Sequence, residues 1–223
     1  MASTANTQTL IPMPLNRLAV TTLGWQHEKW QEAFYPADLP EDWQLDYFLN
    51  VFSLAVVPQS VWLAWLQPDN LDLDEARLDE IFASLNAQNG LIFVADESQV
   101  AILESALYAL AQTKHPIKNQ LIAVVILAEQ LRPSLELCGL PVCLVSKQLQ
   151  FSGWSWQQGE WYCSGFPLAW LSQLPGNDRL LSQQIKQFAQ SVPNGNGILC
   201  VVDPEAPINR VQNMKTLCEL LGY

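Results

Sequence analysis

Basic residues are scarce in this chain of 223 residues. Eleven Lys and Arg side chains stand against 22 Asp and Glu, which gives a net charge of −11 at pH 7, and the basic residues form no run anywhere in the sequence. Nucleic-acid binding depends heavily on neutralising phosphates with Lys and Arg. We therefore expect no nucleic-acid partner, and we attribute the acidic balance to solubility.

Histidine and the common catalytic motifs are also scarce. The chain has two histidines, His27 and His115, no glycine-rich phosphate loop after a predicted strand, and no Gly-x-Ser-x-Gly motif. The acidic run at residues 69–80 lies at the start and along the exposed face of a predicted helix, where acids stabilise the helix end. It lacks the spacing and the glycine of a calcium loop. We expect neither a metal nor another cofactor.

Signals for secretion and membrane insertion are missing from the sequence. The first 14 residues lack the basic and apolar regions of a signal peptide. The longest apolar run, residues 121–128, is much shorter than the roughly 18 residues of a membrane span. The five cysteines are odd in number and match no zinc or redox spacing. Reduced thiols in a cytoplasmic protein without a membrane partner are the simplest interpretation.

Continuous apolar runs alternate with helical patterns along most of the chain. Predicted strands cover residues 18–23, 52–57, 91–95, 121–128, 141–145 and 198–202. Predicted helices cover residues 41–50, 72–85, 98–112, 178–190 and 209–221, with one or two helical turns at residues 133–137. Apolar runs of this kind are typical of strands buried on both faces, and their alternation with helices predicts a parallel sheet wrapped by helices.

Composition divides the chain into a tail and one domain. Residues 1–16 are polar and are predicted to form a flexible N-terminal tail, whereas residues 17–223 contain no Gly- or Ser-rich linker and are predicted to form a single α/β domain. Residues 150–164 interrupt the alternation with aromatic side chains around two glycines. They are predicted to form an extended strand or a hairpin-like loop.

The most informative segment is an aromatic loop after the first predicted strand. It contains Gly24-Trp25, then Trp30, then Phe34-Tyr35-Pro36. Two tryptophans five residues apart, followed by an aromatic pair fixed by proline, favour a loop that fills one end of a barrel or lines a pocket.

This loop resembles the opening of the YecE-like family, a group of bacterial proteins of unknown function built as a variant TIM barrel. That family opens with a strand ending in Ser-Gly-Trp, then a second Trp, then Phe-Tyr-Pro. Its last helix contains an Asn and ends in Leu-Leu-Gly, which Asn213 and residues 220–222 match here. The resemblance implies an α/β fold with a short or distorted TIM-like (β/α) barrel. An open, doubly wound parallel sheet remains the alternative.

Several polar positions of the family are replaced in this chain. The Glu and Asn of the family's second strand correspond to Val56 and Pro58, and the Lys after its third strand corresponds to Asp96. The Asn-Asn pair after its last strand corresponds to Asp203-Pro204. We therefore predict a diverged, non-catalytic YecE-like barrel that has lost the polar pocket of its relatives and functions in ligand or protein binding.

The predicted ligand site is mainly aromatic, because aromatic faces stack on sugars and planar ligands. Its predicted residues are Trp25, Trp30, Tyr35, Trp62 and Asn213. The same aromatic residues could instead fill the barrel ends, recruit a partner protein or form an oligomer interface. The sequence leaves the oligomeric state open.

A hydrolase-like enzyme with its site at the C-terminal rim of the strands is the alternative function. His27 lies in the aromatic loop and could act as a general base if a carboxylate oriented it. The candidate carboxylates are Asp96 and Asp203, each of which follows a predicted strand. A stacked loop histidine and helix-capping carboxylates are the competing interpretation. The sequence names no substrate.

Overall fold

The computed structural model describes residues 18–67, 75–83, 85–86 and 88–223. The predicted tail at residues 1–16 and the first part of the helix predicted at residues 72–85 lie outside the described residues. None of the helices in the described ranges combines the length and the hydrophobicity that a bilayer span requires.

Strands and helices alternate along the described chain. The strands are β1 (Leu18–Thr22), β2 (Leu54–Val57), β3 (Gly90–Asp96), β4 (Leu121–Leu127), β5 (Glu136–Leu137), β6 (Leu140–Ser146), β7 (Ser155–Gln158), β8 (Trp161–Gly165), β9 (Leu168–Leu171) and β10 (Gly197–Val201). The α-helices are α1 (Gln44–Phe52), α2 (Gln59–Leu66), α3 (Glu75–Phe82), α4 (Val100–Gln112), α5 (Asp178–Ser191) and α6 (Ile208–Leu220). Short 3-10 helices include Glu28–Trp30, Glu41–Trp43, Glu97–Gln99 and Pro116–Asn119.

The strands form two sheets that are mainly parallel. In the smaller sheet, β10 lies between β1 and β9 and is parallel to both. In the larger sheet, β2, β3, β4 and β6 are parallel neighbours in that order. The antiparallel strands β8 and β7 follow. The predicted α/β class is confirmed. The order from β2 to β6 advances in one direction.

The two sheets meet at both of their edges. At one edge, a single parallel bridge joins Leu23 to Val56, and the Thr21 hydroxyl donates to the carbonyl of Leu54 at 2.6 Å. At the other edge, the N–H of Trp170 in β9 donates to Sγ of Cys163 in β8 at 3.2 Å. In the described chain these contacts do not amount to a closed ring of strand pairing.

Alternation of side chains along the strands produces two hydrophobic clusters. The outer cluster packs the strands against the helices and contains most of the large aromatic residues. The inner cluster includes no buried residue of an α-helix and draws on strands of both sheets. Its buried members are Leu54, Val56, Ile92, Val94, Ile122, Ala123, Val125, Cys143, Val145, Cys163, Phe166, Leu168, Trp170, Ile198 and Cys200. The two sheets therefore face a common apolar interior, which explains why the strand sequences are apolar throughout.

The region after β4 differs from its prediction. Residues 133–137 do not form helical turns, because Glu136 and Leu137 pair with Pro141 and Leu140 as an antiparallel strand. The two residues between them, Cys138 and Gly139, have φ angles of +50° and +81°. Positive φ at both central positions is typical of a tight type I′ hairpin turn, and Gly139 favours that turn.

Two elements of the structure were not predicted. Helix α2 contains Trp62 and Trp65 and is apolar over most of its surface, so it shows no clear helical periodicity. Strand β9 has only four residues and follows the aromatic hairpin of β7 and β8 directly. The hairpin itself confirms the hairpin-like alternative given for residues 150–164.

Candidate functional site

The aromatic loop begins at Gly24, where the chain leaves β1. The φ angle of Gly24 is +72°, a conformation that residues with a side chain rarely adopt. Its N–H donates to the carbonyl of Val56 at 2.8 Å, and a Cβ at this position would lie 3.2 Å from Cγ of Pro58. The start of the loop is therefore held against the end of β2 by a conformation that favours glycine.

Two aromatic residues of the loop belong to the core. Trp30 is 2% exposed, stacks on Phe48 with ring centroids 6.5 Å apart, and donates its indole N–H to the carbonyl of Ala206 at 3.3 Å. The hydroxyl of Tyr35 donates to the carbonyl of Trp25 at 2.6 Å. Burial, helped by Tyr47, raises the pKa of Tyr35, so its phenol remains a hydrogen-bond donor.

Trp62 is also a core residue. It is fully buried, stacks on Phe93 with ring centroids 6.3 Å apart, and donates its indole N–H to the carbonyl of Val94 at 2.7 Å. Trp30, Tyr35 and Trp62 were predicted to bind a ligand, but protein atoms cover their rings and backbone carbonyls accept their polar hydrogens. All three side chains are buried in the hydrophobic core.

Asn213 lies at the contact between the last two helices. Its Nδ2 donates to Oδ1 of Asp178, the first residue of α5, at 2.8 Å, and Arg210 pairs with the same carboxylate. The residue therefore joins α6 to α5 and lies outside the aromatic loop with which it was predicted to form a site.

His27 is half-buried against Trp30, with ring centroids 4.1 Å apart. Its Nε2 lies 3.1 Å from the carbonyl of Leu23, which can only accept, so Nε2 carries the proton. Burial lowers the pKa of His27, and the bond to Leu23 opposes this shift. Within the described residues, no hydrogen bond or ion pair joins His27 to a carboxylate.

The two candidate carboxylates stabilise turns. Oδ1 of Asp96 accepts the N–H and the hydroxyl of Ser98, at 2.9 and 2.5 Å. The Ser98 hydroxyl is the largest cause of the lowered pKa of Asp96. Oδ1 of Asp203 accepts the N–H of Glu205 at 2.9 Å. Both contacts are the local turn bonds expected of Asp after a strand, and neither brings a carboxylate to His27.

Glu97 has a role that the sequence analysis missed. Its Oε2 accepts three backbone N–H groups, from Glu129, Gln130 and Leu131, at 3.1, 3.0 and 3.1 Å. These bonds lower the pKa of Glu97. The side chain ties the end of β3 to the turn after β4. No local sequence signal points to this role, because the partners lie more than 30 residues away.

Both ring nitrogens of the second histidine, His115, have hydrogen-bond partners. Nδ1 of His115 accepts the N–H of Ile117 at 3.2 Å, and Nε2 lies 3.0 Å from Oδ1 of Asp79. Because Nδ1 is an acceptor, Nε2 is the protonated nitrogen and donates to Asp79. His115 also lines a cleft of about 490 Å³. With both nitrogens engaged, this His–Asp pair has no free base to offer a substrate.

A larger cleft of about 510 Å³ lies beside the aromatic loop. It is bounded by the loop, the 3-10 helix Glu41–Trp43 and helices α1, α2 and α3. The lining residues are Trp25, Gln26, Glu41, Asp42, Trp43, Leu45, Asp46, Val61, Trp65, Glu80, Ile81 and Ala83.

Three tryptophans form the aromatic part of this cleft. Trp25 is 4% exposed and stacks on Trp65, with centroids 5.7 Å apart and planes at 26°. Trp65 meets Phe82 edge to face at 4.9 Å. Trp43 is 60% exposed. Of the five predicted ligand-binding residues, only Trp25 lines this cleft. Trp43 was not among the predicted residues but also lines this cleft, and no sequence signal separates it from a core tryptophan.

A smaller cleft adjoins the larger one and contains His27. It measures about 220 Å³ and is lined by Leu23, Gly24, Trp25, Gln26, His27, Pro58, Ser60 and Val61. Trp25, Gln26 and Val61 border both clefts. Within the described part of the chain, no three His, Cys, Asp or Glu side chains cluster in a way that could hold a metal ion.

The fold of this chain is similar to that of a protein of known structure. The structure is similar to the crystal structure of a DUF72 family protein from Thermotoga maritima, with a TM-score of 0.53 and 11% sequence identity. The alignment covers 91% of this chain and 99% of that chain. DUF72 is a YecE-like family of unknown function. No family model matches the chain, and no curated protein matches it. At this identity the similarity shows a shared fold, which agrees with the resemblance found in the sequence.

Proposed function

We propose that this protein is a non-catalytic binding protein, a diverged YecE-like barrel that holds a small organic ligand between Trp43 and Trp65, with Trp25 stacked on Trp65. The observation that carries this proposal is the cleft of about 510 Å³, partly walled by tryptophan and bordered by polar side chains. Ligand sites typically measure about 300–1,000 Å³ and combine apolar walls with a few polar groups.

The proposed barrel is a distorted TIM-like barrel, and the shared interior supports it. Following the sheet edges, the strands run in the order β9, β10, β1, β2, β3, β4, β6 and β8 around the inner cluster. Only β8 is antiparallel to its neighbour in this sequence of pairings. TIM barrels build their sites at the carboxyl ends of the strands. The aromatic loop follows β1 and the start of α2 follows β2, so the part of the cleft beside Trp25 and Val61 lies near that end.

We also propose a bacterial, cytoplasmic protein. Its five cysteines are free and four of them are buried. Burial raises the pKa of Cys143 and Cys200, which keeps these thiols protonated and unreactive. Free thiols of this kind suit a reducing compartment. The structural similarity to a protein from Thermotoga maritima supports a bacterial origin.

Crystals soaked with a fragment library provide the test. We expect planar and aromatic fragments to collect in the cleft between Trp43 and Trp65, and to be lost from crystals of Trp43→Ala. The matched control is Tyr108→Ala, which removes an aromatic residue that is 65% exposed on α4 and does not line the cleft. Fragments that gather beside His27 and leave the larger cleft empty would contradict the proposal.

The hydrolase-like alternative is favoured by one observation, the position of His27. The lowered pKa keeps its imidazole neutral at pH 7, the Leu23 carbonyl fixes its tautomer, and it lines the smaller cleft with Ser60. We favour the binding function because no described carboxylate contacts His27. Hydrolysis of p-nitrophenyl esters separates the two functions. Turnover by the native protein that disappears in His27→Gln would establish the enzyme.

A further inference from the structure

The described lining of the larger cleft carries charge of one sign. Its lining includes four carboxylates, Glu41, Asp42, Asp46 and Glu80, and the described lining contains no Lys, Arg or His. The carboxylates come from three elements: the 3-10 helix before α1, α1 itself, and α3. A ligand in this cleft therefore meets negative charge from more than one helical element.

Helix stabilisation explains only part of this charge. Glu41 and Asp42 lie at the start of a helical segment, where carboxylates favour the positive helix end. Glu80 lies in the last turn of α3, where the helix dipole disfavours a carboxylate. Within the described residues, no ion pair neutralises Glu41, Asp42 or Glu80. Among the described residues of α3, none offsets the negative charge at Glu80.

The tryptophans also favour a positively charged ligand. An indole face carries negative charge density and attracts a cation within about 6 Å of its centroid, more strongly than Phe or Tyr does. Trp43 is 60% exposed, and none of the described aromatic rings packs against it. Its face is available to a ligand beside Glu41 and Asp42, its neighbours in the chain.

We propose that the cleft selects an organic cation, a small molecule with an ammonium or guanidinium group on an apolar body. This inference rests on the proposed function. Tryptophan faces and carboxylates both stabilise positive charge, and the net charge of −11 draws cations towards the protein. Nucleotides, sugar phosphates and other anions meet repulsion from Glu41, Asp42 and Glu80. A neutral planar ligand gains from the aromatic walls alone.

Three probes of nearly the same shape test the preference for positive charge. Choline is the cation, 3,3-dimethylbutan-1-ol is its neutral counterpart, and 3,3-dimethylbutanoate is the anion. Titration calorimetry at low ionic strength should show choline binding about tenfold or more tightly than the alcohol, with no binding of the anion. Added salt should weaken choline binding and leave the alcohol unchanged, because salt screens exposed charges.

Variants separate the two contributions to the site. Trp43→Ala should abolish choline binding, and Trp43→Phe should retain part of it. The combined variant Glu41→Gln, Asp42→Asn and Glu80→Gln should lower choline affinity towards that of the alcohol, leaving the part that the tryptophan faces provide, without changing the alcohol's affinity. Glu104→Gln and Tyr108→Ala on α4 are the matched controls for charge and aromatic area, and neither should change binding.

The outcomes distinguish this inference from the function on which it rests. Equal affinities for choline and the alcohol, both lost in Trp43→Ala, would refute the preference for cations and leave the binding function intact. Choline binding that survives Trp43→Ala would contradict both proposals. If none of the three probes binds, the preference for cations is wrong, and the fragment soak decides the binding function by itself.

Discussion

The tryptophans at the rim of the strands fall into two groups that differ in burial, a supporting group inside the fold and an exposed group. Trp30 and Trp62 are buried, and each donates its N–H to a backbone carbonyl inside the fold. Trp43, by contrast, is 60% exposed and borders a cleft. A buried tryptophan needs an internal acceptor, whereas one at a binding surface keeps its face for a ligand. The same residue type therefore supports the rim in one place and, in the function that we propose, offers a binding surface in another.

The largest effect on stability should come from the supporting group, Trp30 and Trp62. Trp62→Ala should lower the free energy of unfolding by about 3–5 kcal/mol, because it opens a cavity and leaves the carbonyl of Val94 without its donor. Trp62→Phe keeps a ring beside Phe93 and should cost less. Urea denaturation measures both. A loss below about 1 kcal/mol for Trp62→Ala would remove the basis for calling this tryptophan structural.

Gly24 should give the next largest effect, because it fixes the start of the aromatic loop. Gly24→Ala forces a side chain into a φ of +72° and brings a Cβ to 3.2 Å from Pro58, so we expect a loss of about 1–2 kcal/mol in the free energy of unfolding. The control is Gly176→Ala, where φ is not in the left-handed region and no atom lies within 4 Å of the added Cβ. Equal stability of the two variants would show that the loop is not anchored at Gly24.

The fold could be predicted where burial leaves a direct trace in the sequence. The strands β3, β4 and β10 are continuous apolar runs because both of their faces are covered, by helices outside and by the other strands inside. Helix α2 could not be predicted from its sequence, because it is apolar over most of its surface and lacks the periodicity of an amphipathic helix.

The site could be predicted only in part, because its roles depend on partners far along the chain. The acceptor for Trp30 lies 176 residues away at Ala206, and the acceptor for Trp62 lies 32 residues away at Val94. Nothing near these tryptophans in the sequence distinguishes them from Trp43. Trp25 was predicted because it directly follows a strand, which is the position that the fold uses for sites.

A pH titration of stability tests the burial of His27. The pKa of His27 is lowered in the folded protein, so the unfolded chain takes up its proton more readily. The stabilisation that neutral His27 provides is therefore complete above the unfolded pKa of about 6.5 and is lost as the pH falls below it. Relative to His27→Gln, the native protein should lose free energy of unfolding between about pH 7.5 and 5. A difference that stays constant over this range would mean that His27 is not buried as described.

The smallest effect on stability should come from the exposed tryptophan, Trp43. Trp43→Ala should change the free energy of unfolding by less than about 0.5 kcal/mol, because most of its side chain is already in solvent. The same substitution should remove ligand binding. Urea denaturation of Trp43→Ala beside Tyr108→Ala provides the comparison. A loss of free energy of unfolding comparable to that of Trp62→Ala would show that Trp43 supports the fold as Trp62 does, and the two groups of tryptophans would no longer differ.

The most direct test of the binding site is a nitrogen–proton NMR titration with choline that follows the indole N–H signals, each assigned by single substitution. The cleft described above predicts saturable shifts for Trp43 and Trp65, and none for Trp30 and Trp62, whose N–H groups are bonded to backbone carbonyls in the core. Shifts confined to Trp30 or Trp62, or signals from Trp43 and Trp65 that do not move while choline binds, would contradict the central claim that the rim cleft is the ligand site.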